Sequence, residues 1–235
     1  MAALLPALQK GLEGLGLPLA SEQQTQLLDY MDLIGKWTKV YNLTAVRDAN
    51  EMLTHHLLDS LAVIAPLRRE LAKLKGPMLD GSLEQGVATP NLTKTSQAKF
   101  SLLDVGAGAG LPGVVIAITC PDVSVTCVDT VAKKAAFIQQ AAVTLKLSNL
   151  QGLHARVENL TQAYDVVCSR AFASLLDFTT WSKPSLASHG VWMAMKGKHP
   201  SQELEALPDK VSVFHVEQLH VPSLDAERCI VWMRG

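Results

Sequence analysis

Cysteine is sparse in this 235-residue chain and never paired in sequence: Cys120, Cys127, Cys168 and Cys229 show no CxxC spacing. That excludes a disulfide framework or a thiolate metal site read from spacing, and the apolar surroundings of these residues suit buried thiols in a reducing compartment. Positive charge is not in excess either, since Lys and Arg balance Asp and Glu to a formal net charge of −1. A nucleic-acid partner would therefore have to be held by a local basic patch rather than by the field of the whole molecule. No apolar run reaches the roughly 18 residues of a membrane span, and "MAALLPALQKGLEGLGLPLA" carries no lysine or arginine ahead of its first apolar residues. The expectation is a cytoplasmic protein without membrane partner or secretory signal. The histidines show no HExxH or paired-ligand spacing, so no metal is expected, and no internal repeat is visible.

What the chain has is apolar bulk: 48% hydrophobic residues, enough for a large core in one sizeable domain or one domain plus an appendage. It divides at a polar stretch. Residues 1–75 read as a helical region, in which Leu27, Leu28, Met31, Ile34, Trp37 and Tyr41 form an apolar stripe at helical spacing. Ser21 with Gln24 offers a capping box at its start, and in "NEMLTHHLLDSLAVIAPLRREL" Pro66 is expected to end or kink the helix near Ala65. Residues 76–99, rich in Gly, Pro, Ser, Thr and Gln, read as a flexible insertion or linker.

From residue 100 to 235 strand and helix patterns alternate. "SLLDVG", "VSVTCVD", "LQGLHA", "YDVVCSR" and "GVWMAMK" are strand candidates, with helix-like segments such as "LPGVVIAITC", "KKAAFIQQAAVTLKL" and "SLLDFTTWSKPSLA" among them. "KVSVFHVEQLHV" and "ERCIVWMR" follow with no helix-length segment between. The expected fold is α/β: a mostly parallel sheet with helices on both faces and an antiparallel hairpin at one edge.

"LLDVGAGAGLPG" places glycines 106, 108, 110 and 113 directly after the first of these strands. In open α/β sheets ligands bind beyond the carboxyl ends of strands, where bare backbone can approach them. Gly106, Gly108 and Gly110 give GxGxG, whereas the dinucleotide fingerprint GxGxxG would need its third glycine at Leu111. A carboxylate at Asp104 facing the pocket would suit a cationic ligand better than a phosphate. Asp129, at the end of the next strand, is placed to accept from two ribose hydroxyls. Together these point to S-adenosylmethionine.

The fragments "KWTKVYNLTAVRDANEMLTHHLLDSL", "DVGAGAGLPG", "ARVENL", "SRAFASL", "MKGK" and "VPSLDAER", in this order, resemble the bacterial RsmG/GidB family of small-subunit ribosomal RNA guanine-N7 methyltransferases. The resemblance runs from about Leu27 to the end of the chain. It implies a class I S-adenosylmethionine-dependent methyltransferase fold, Rossmann-like, with an N-terminal helical extension. It further implies cofactor contacts around Gly106 and Leu111, at Val157 and Glu158, and at Arg170, and 16S ribosomal RNA or the small ribosomal subunit as partner. Arg170, at a strand's carboxyl end, is the candidate for positioning the reacting groups, its rival role being a structural ion pair. His56 is a candidate pocket residue whose rival role is a packed helix histidine, and Cys168 reads as core.

Guanine N7 has an in-plane lone pair and no proton to remove, so the absence of an obvious catalytic dyad fits methyl transfer by alignment alone. For phosphate contacts the candidates are Lys36, Lys39, Arg47, Lys196, Lys198 and Arg228, with the resemblance favouring Lys196 and Arg228. A monomer is expected. Two other classes stay open: a methyltransferase acting on a small molecule or protein, and a protein that binds an adenosine ligand without chemistry.

Overall fold

A computed structural model describes residues 2–74 and 99–235; all but the last residue of the expected 76–99 linker lies outside them. Strands β1 (Phe100–Val105), β2 (Val123–Asp129), β3 (Leu150–His154), β4 (Tyr164–Arg170), β5 (Leu186–Lys196), β6 (Ser212–Leu219) and β7 (Arg228–Arg234) form one sheet in the order β3-β2-β1-β4-β5-β7-β6. The first five run parallel, and β7 returns antiparallel between β5 and β6. This is the expected mostly parallel sheet with an antiparallel hairpin at one edge. The order reverses at β1, which sends the chain outward in both directions and opens a crevice over the carboxyl ends of β1 and β4.

The inner strands β1, β2, β4 and β7 are largely apolar on both faces because both faces are covered. In β1, Leu102 belongs to one buried cluster and Leu103 to the other, as the period of two requires. One side is packed by α6 (Gly113–Thr119) and α7 (Ala132–Thr144), the other by α8 (Leu175–Ser182) with Leu175 and Phe178 buried. A short α9 (Ser201–Glu205), which no periodicity announced, follows β5. All four cysteines are buried and unpaired.

The N-terminal helices lie on the α6/α7 side and share its core. They are α1 (Leu5–Leu15), α2 (Ser21–Tyr41), α3 (Ala49–Met52), a π-helical turn (Leu53–Leu58), α4 (Asp59–Leu61) and α5 (Ile64–Leu74). Leu27, Leu28, Met31 and Ile34 of the stripe are buried, but Trp37 is only partly covered and Tyr41 is exposed, so the stripe runs out before the helix does. Two local expectations need correcting. The helix begins one residue earlier than the Ser21/Gln24 box implied: Ala20 is the cap, its N–H donating to Gln23 Oε1 at 3.1 Å. The break attributed to Pro66 falls at Ala62–Val63 instead, and Pro66 sits in the first turn of α5, where its missing N–H has no intrahelical role.

Asn149, just before β3, ties this assembly together. Its amide donates to the carbonyls of Ala117 at 3.0 Å, Cys120 at 3.4 Å and Val123 at 3.0 Å, joining the end of α6 to the start of β2. Asn149→Ala should lower stability by about 1–3 kcal/mol, because carbonyls are left without their donor. Urea denaturation checks this: the midpoint falls while the slope stays unchanged.

Candidate active site: two cavities on one glycine turn

After β1 the chain turns through "GAGAG" and is held from several directions. Gly106 N–H and Ala107 N–H donate to Val128 O at 2.9 and 3.1 Å, and Gly108 N–H donates to Asp129 Oδ2 at 3.0 Å. From below, the fully buried Tyr30 of α2 donates its hydroxyl to Ala109 O at 2.5 Å. Gly106 has φ +66°, and a Cβ there would lie 2.3 Å from Phe172 Cδ2. Both the left-handed backbone and the approach of Phe172 therefore demand glycine at 106. At Gly113 the constraint is space alone, with Cys127 Sγ and Asp104 Oδ2 at 2.3 and 2.8 Å from such an atom.

A cavity opens on each side of this turn, and both are lined by Gly106 and Ala171. The first, about 380 Å³, gathers Asp129, Val131, Val157, Glu158, Phe172 and Trp181. The second, about 510 Å³, gathers Leu111, His56, Asp59, Arg170, Lys196 and Arg228. Asp129 is nearly buried, with Oδ1 accepting from Val131 N–H at 2.8 Å and Oδ2 from Gly108 N–H. Each oxygen has a second lone pair, and Lys134 Nζ lies 3.7 Å from Oδ2. Val157 is buried and Glu158 half-exposed at the first cavity's edge.

The expectation that Asp104 faces the ligand needs correction. It is fully buried and lines neither cavity. Its Oδ2 accepts from Gly113 N–H at 2.9 Å, pinning the start of α6 under the turn, and its Oδ1 has no hydrogen-bond partner. Burial raises its pKa to about 7, against the lowering pull of the Gly113 N–H and of Arg170. Cys168 is likewise core: burial pushes its thiol well up, which leaves no thiolate to attack anything.

The two residues favoured for RNA phosphates are also placed otherwise. Lys196, at the end of β5, donates to Glu203 Oε1 and Oε2 at 3.0 and 2.8 Å and to Ala173 O at 3.0 Å. Arg228 Nε donates to Asp59 Oδ1 at 2.7 Å. Arg170, at the end of β4, donates to the other oxygen of the same carboxylate at 2.9 Å and to His55 O at 3.1 Å. Asp59 is only 2% exposed, so one buried carboxylate is shared by two guanidinium groups, and Arg170 is an ion-pair member and a cavity residue at once.

A family model described as rRNA small subunit methyltransferase G (GidB) matches residues 23–80 and 83–231. The chain belongs to this family. A ribosomal RNA small subunit methyltransferase G of Polaromonas sp. strain JS666 is 67% identical over 227 residues, covering 97% of this chain and 92% of the relative. One of Albidiferax ferrireducens is 62% identical over 234 residues, covering 100% of this chain and 98% of the relative. One of Methylibium petroleiphilum is 53% identical over 232 residues, with 98% and 94% covered.

Within this methyltransferase family site, sequence reasoning missed Asp59 and Glu203. Asp59 left a signal, a lone acid inside the apolar helical run "HHLLDSLAVI", whereas Glu203 left none. The π-helical turn brings His55, His56 and Asp59 to the cavity: Asp59 N–H reaches back to Thr54 O, five residues away. His56 Nε2 lies 2.7 Å from Thr44 Oγ1, and burial followed by Arg170 lowers its pKa. Among the described residues no helix is long and apolar enough to cross a membrane.

Folding raises the affinity of the Asp104 carboxyl for its proton, so its contribution to stability is full below the ordinary carboxylate range and is lost as pH climbs through about 7. Asp104→Asn keeps an acceptor for Gly113 and removes the titration. The variant should lose less stability than the parent between pH about 4 and 7, as read by urea denaturation across that range.

Proposed function

We propose that this chain transfers a methyl group from S-adenosylmethionine to N7 of a guanine in the 16S RNA of the small ribosomal subunit. The observation that carries the reading is the pair of cavities sharing Gly106 and Ala171, which lets one extended ligand lie across the glycine turn with a different half in each cavity. The residues fit that cofactor. Asp129 offers acceptors to the ribose hydroxyls, Val157 and Glu158 offer an apolar edge and an acceptor to the adenine, and Arg170 suits the carboxylate of the amino-acid end. Gly106, Gly108, Gly110 and Leu111 supply the close backbone between. Asp104 acts from beneath, by fixing Gly113, rather than as a ligand.

When bound, the cofactor supplies an electrophilic methyl group on a sulfonium. The chain then has to align a lone pair with it and needs no base, since guanine N7 carries no proton to remove. Holding the reactants in line is worth about 7–11 kcal/mol in well-oriented systems. The rigid turn, the Asp129 bonds and the doubly bonded Arg170 are the means of that alignment here. His56, kept neutral by burial and by Arg170, lies in the second cavity, where the target base would enter. A ribosomal substrate implies action in the cytoplasm.

Labelled cofactor should transfer its methyl to small subunits or to their deproteinised RNA, and not to an RNA-free extract. Borohydride reduction followed by aniline cleavage would then locate the methyl at a guanine N7. Incorporation into the RNA-free extract instead would favour a protein or small-molecule acceptor. Asp129→Asn should weaken S-adenosylmethionine binding at least tenfold by calorimetry, about 1.4 kcal/mol. Absence of any heat with that cofactor or its demethylated product at millimolar concentration would overturn the reading.

A further inference from the structure

If Lys196 and Arg228 are spent inside the molecule, the phosphates of an RNA substrate must be met elsewhere. The C-terminal end of α2 offers the place. Val40 is 72% exposed, Tyr41 44% and Val131 43%, which makes them prominent among the large apolar side chains left in solvent. Cations lie beside them: Lys133, two residues from Val131, has its Nζ 5.5 Å over the Tyr41 ring, and Arg47 donates to Asn42 Oδ1 at 2.9 Å, one residue beyond Tyr41. Lys39 flanks Val40 and is exposed. Among the described residues Lys39, Arg47 and Lys133 make no ion pair with a carboxylate, whereas Lys36 on the same helix is paired with Asp32.

The position of this patch matters as much as its charge. Leu43 and Thr44, immediately after α2, line the cavity that holds Arg170, and Val131 and Lys134 line the cavity that holds Asp129. A strand crossing Lys39, Tyr41 and Arg47 would thus run along the rim where its base has to turn in. Lys39, in the last turn, also offsets the negative end of the α2 dipole, which would otherwise repel an anion. Apolar surface interleaved with unpaired cations is what a single-stranded nucleic acid needs, cations for its phosphates and apolar contact for sugar and base edges.

We infer that Lys39, Val40, Tyr41, Arg47 and Lys133 form the docking surface for the single-stranded RNA flanking the target nucleotide. This rests on the ribosomal RNA reading above and deepens it. The test uses the full chain and the variants Lys39→Gln/Arg47→Gln/Lys133→Gln and Val40→Glu, the latter adding a carboxylate at a solvent-exposed position where folding is not at stake. Binding is measured by filter retention over a range of salt, on small subunits and on their deproteinised RNA, and binding of the demethylated cofactor by calorimetry.

The triple variant should bind RNA about 30-fold more weakly and lose about 2 from the slope of log affinity against log salt, since each phosphate contact on a single strand contributes about 0.7. Val40→Glu should weaken RNA binding about tenfold. Cofactor binding should stay within twofold of the parent for both. Unchanged RNA affinity and slope would overturn the inference, as would a loss of affinity for the subunit with no change of slope, which marks a protein contact. If the parent itself binds cofactor but neither binds nor methylates either substrate, the ribosomal reading falls and this surface with it.

Discussion

The carboxylate of Asp59 holds guanidinium groups that arrive from residues 170 and 228, so the end of β4, the start of β7 and the N-terminal helical region meet at one buried charge. A lone carboxylate at this depth would cost several kcal/mol, which two close, hydrogen-bonded cations offset. The arrangement has a surplus: one negative and two positive groups leave a net positive charge facing the second cavity. Arg170 is fixed twice by the same turn, through the Asp59 side chain and through the His55 carbonyl. Lifting the helical region off the sheet would therefore unmake the cavity wall and strand two arginines beside each other in the same step.

The glycine turn is fixed as tightly, and from the same helices. Tyr30, which holds Ala109 O, stacks on Phe137 at 6.4 Å; Phe137 meets Trp37 at 5.4 Å, and Trp37 meets Tyr41 at 5.1 Å. This aromatic series runs from the loop beneath the proposed cofactor to the exposed tip of α2. Asp104 fixes the other side of the loop through Gly113. A turn braced in this way does not need to be ordered by its ligand, and preorganisation of that kind is what an alignment mechanism depends on.

How much of this could be read from residues alone follows from the range of each signal. The alternation of strands and helices behind the parallel half, the hairpin, the glycine turn and Asp129 at a strand end are carried by local patterns, and each stands where the pattern put it. Asp104 was placed at the right strand end but on the wrong level, because alternation tells which face a side chain takes and not how deeply that face is covered. Lys196 and Arg228 went astray for a different reason: their partners, Glu203 and Asp59, are set by tertiary folding, 169 residues apart in the case of Arg228. The π-helical turn that delivers Asp59 has no compositional mark, and the flanking apolar residues read the same in an ordinary helix.

A chain can count its cations in sequence, but only the fold decides which of them remain available. The inward set, Arg170, Lys196 and Arg228, is tied to Asp59, Glu203 and backbone carbonyls, and it shapes a cavity. The outward set, Lys39, Arg47 and Lys133, is exposed and is the part proposed to meet a polyanion. This resolves the difficulty that a formal net charge of −1 raised for an RNA partner. At about 0.1 M salt the Debye length is roughly 10 Å, so acidic groups on distant faces are screened from a phosphate at the rim, while unpaired cations beside it are not. On the proposed docking surface, affinity for RNA would depend on a few residues at one edge of the two cavities and hardly at all on the total.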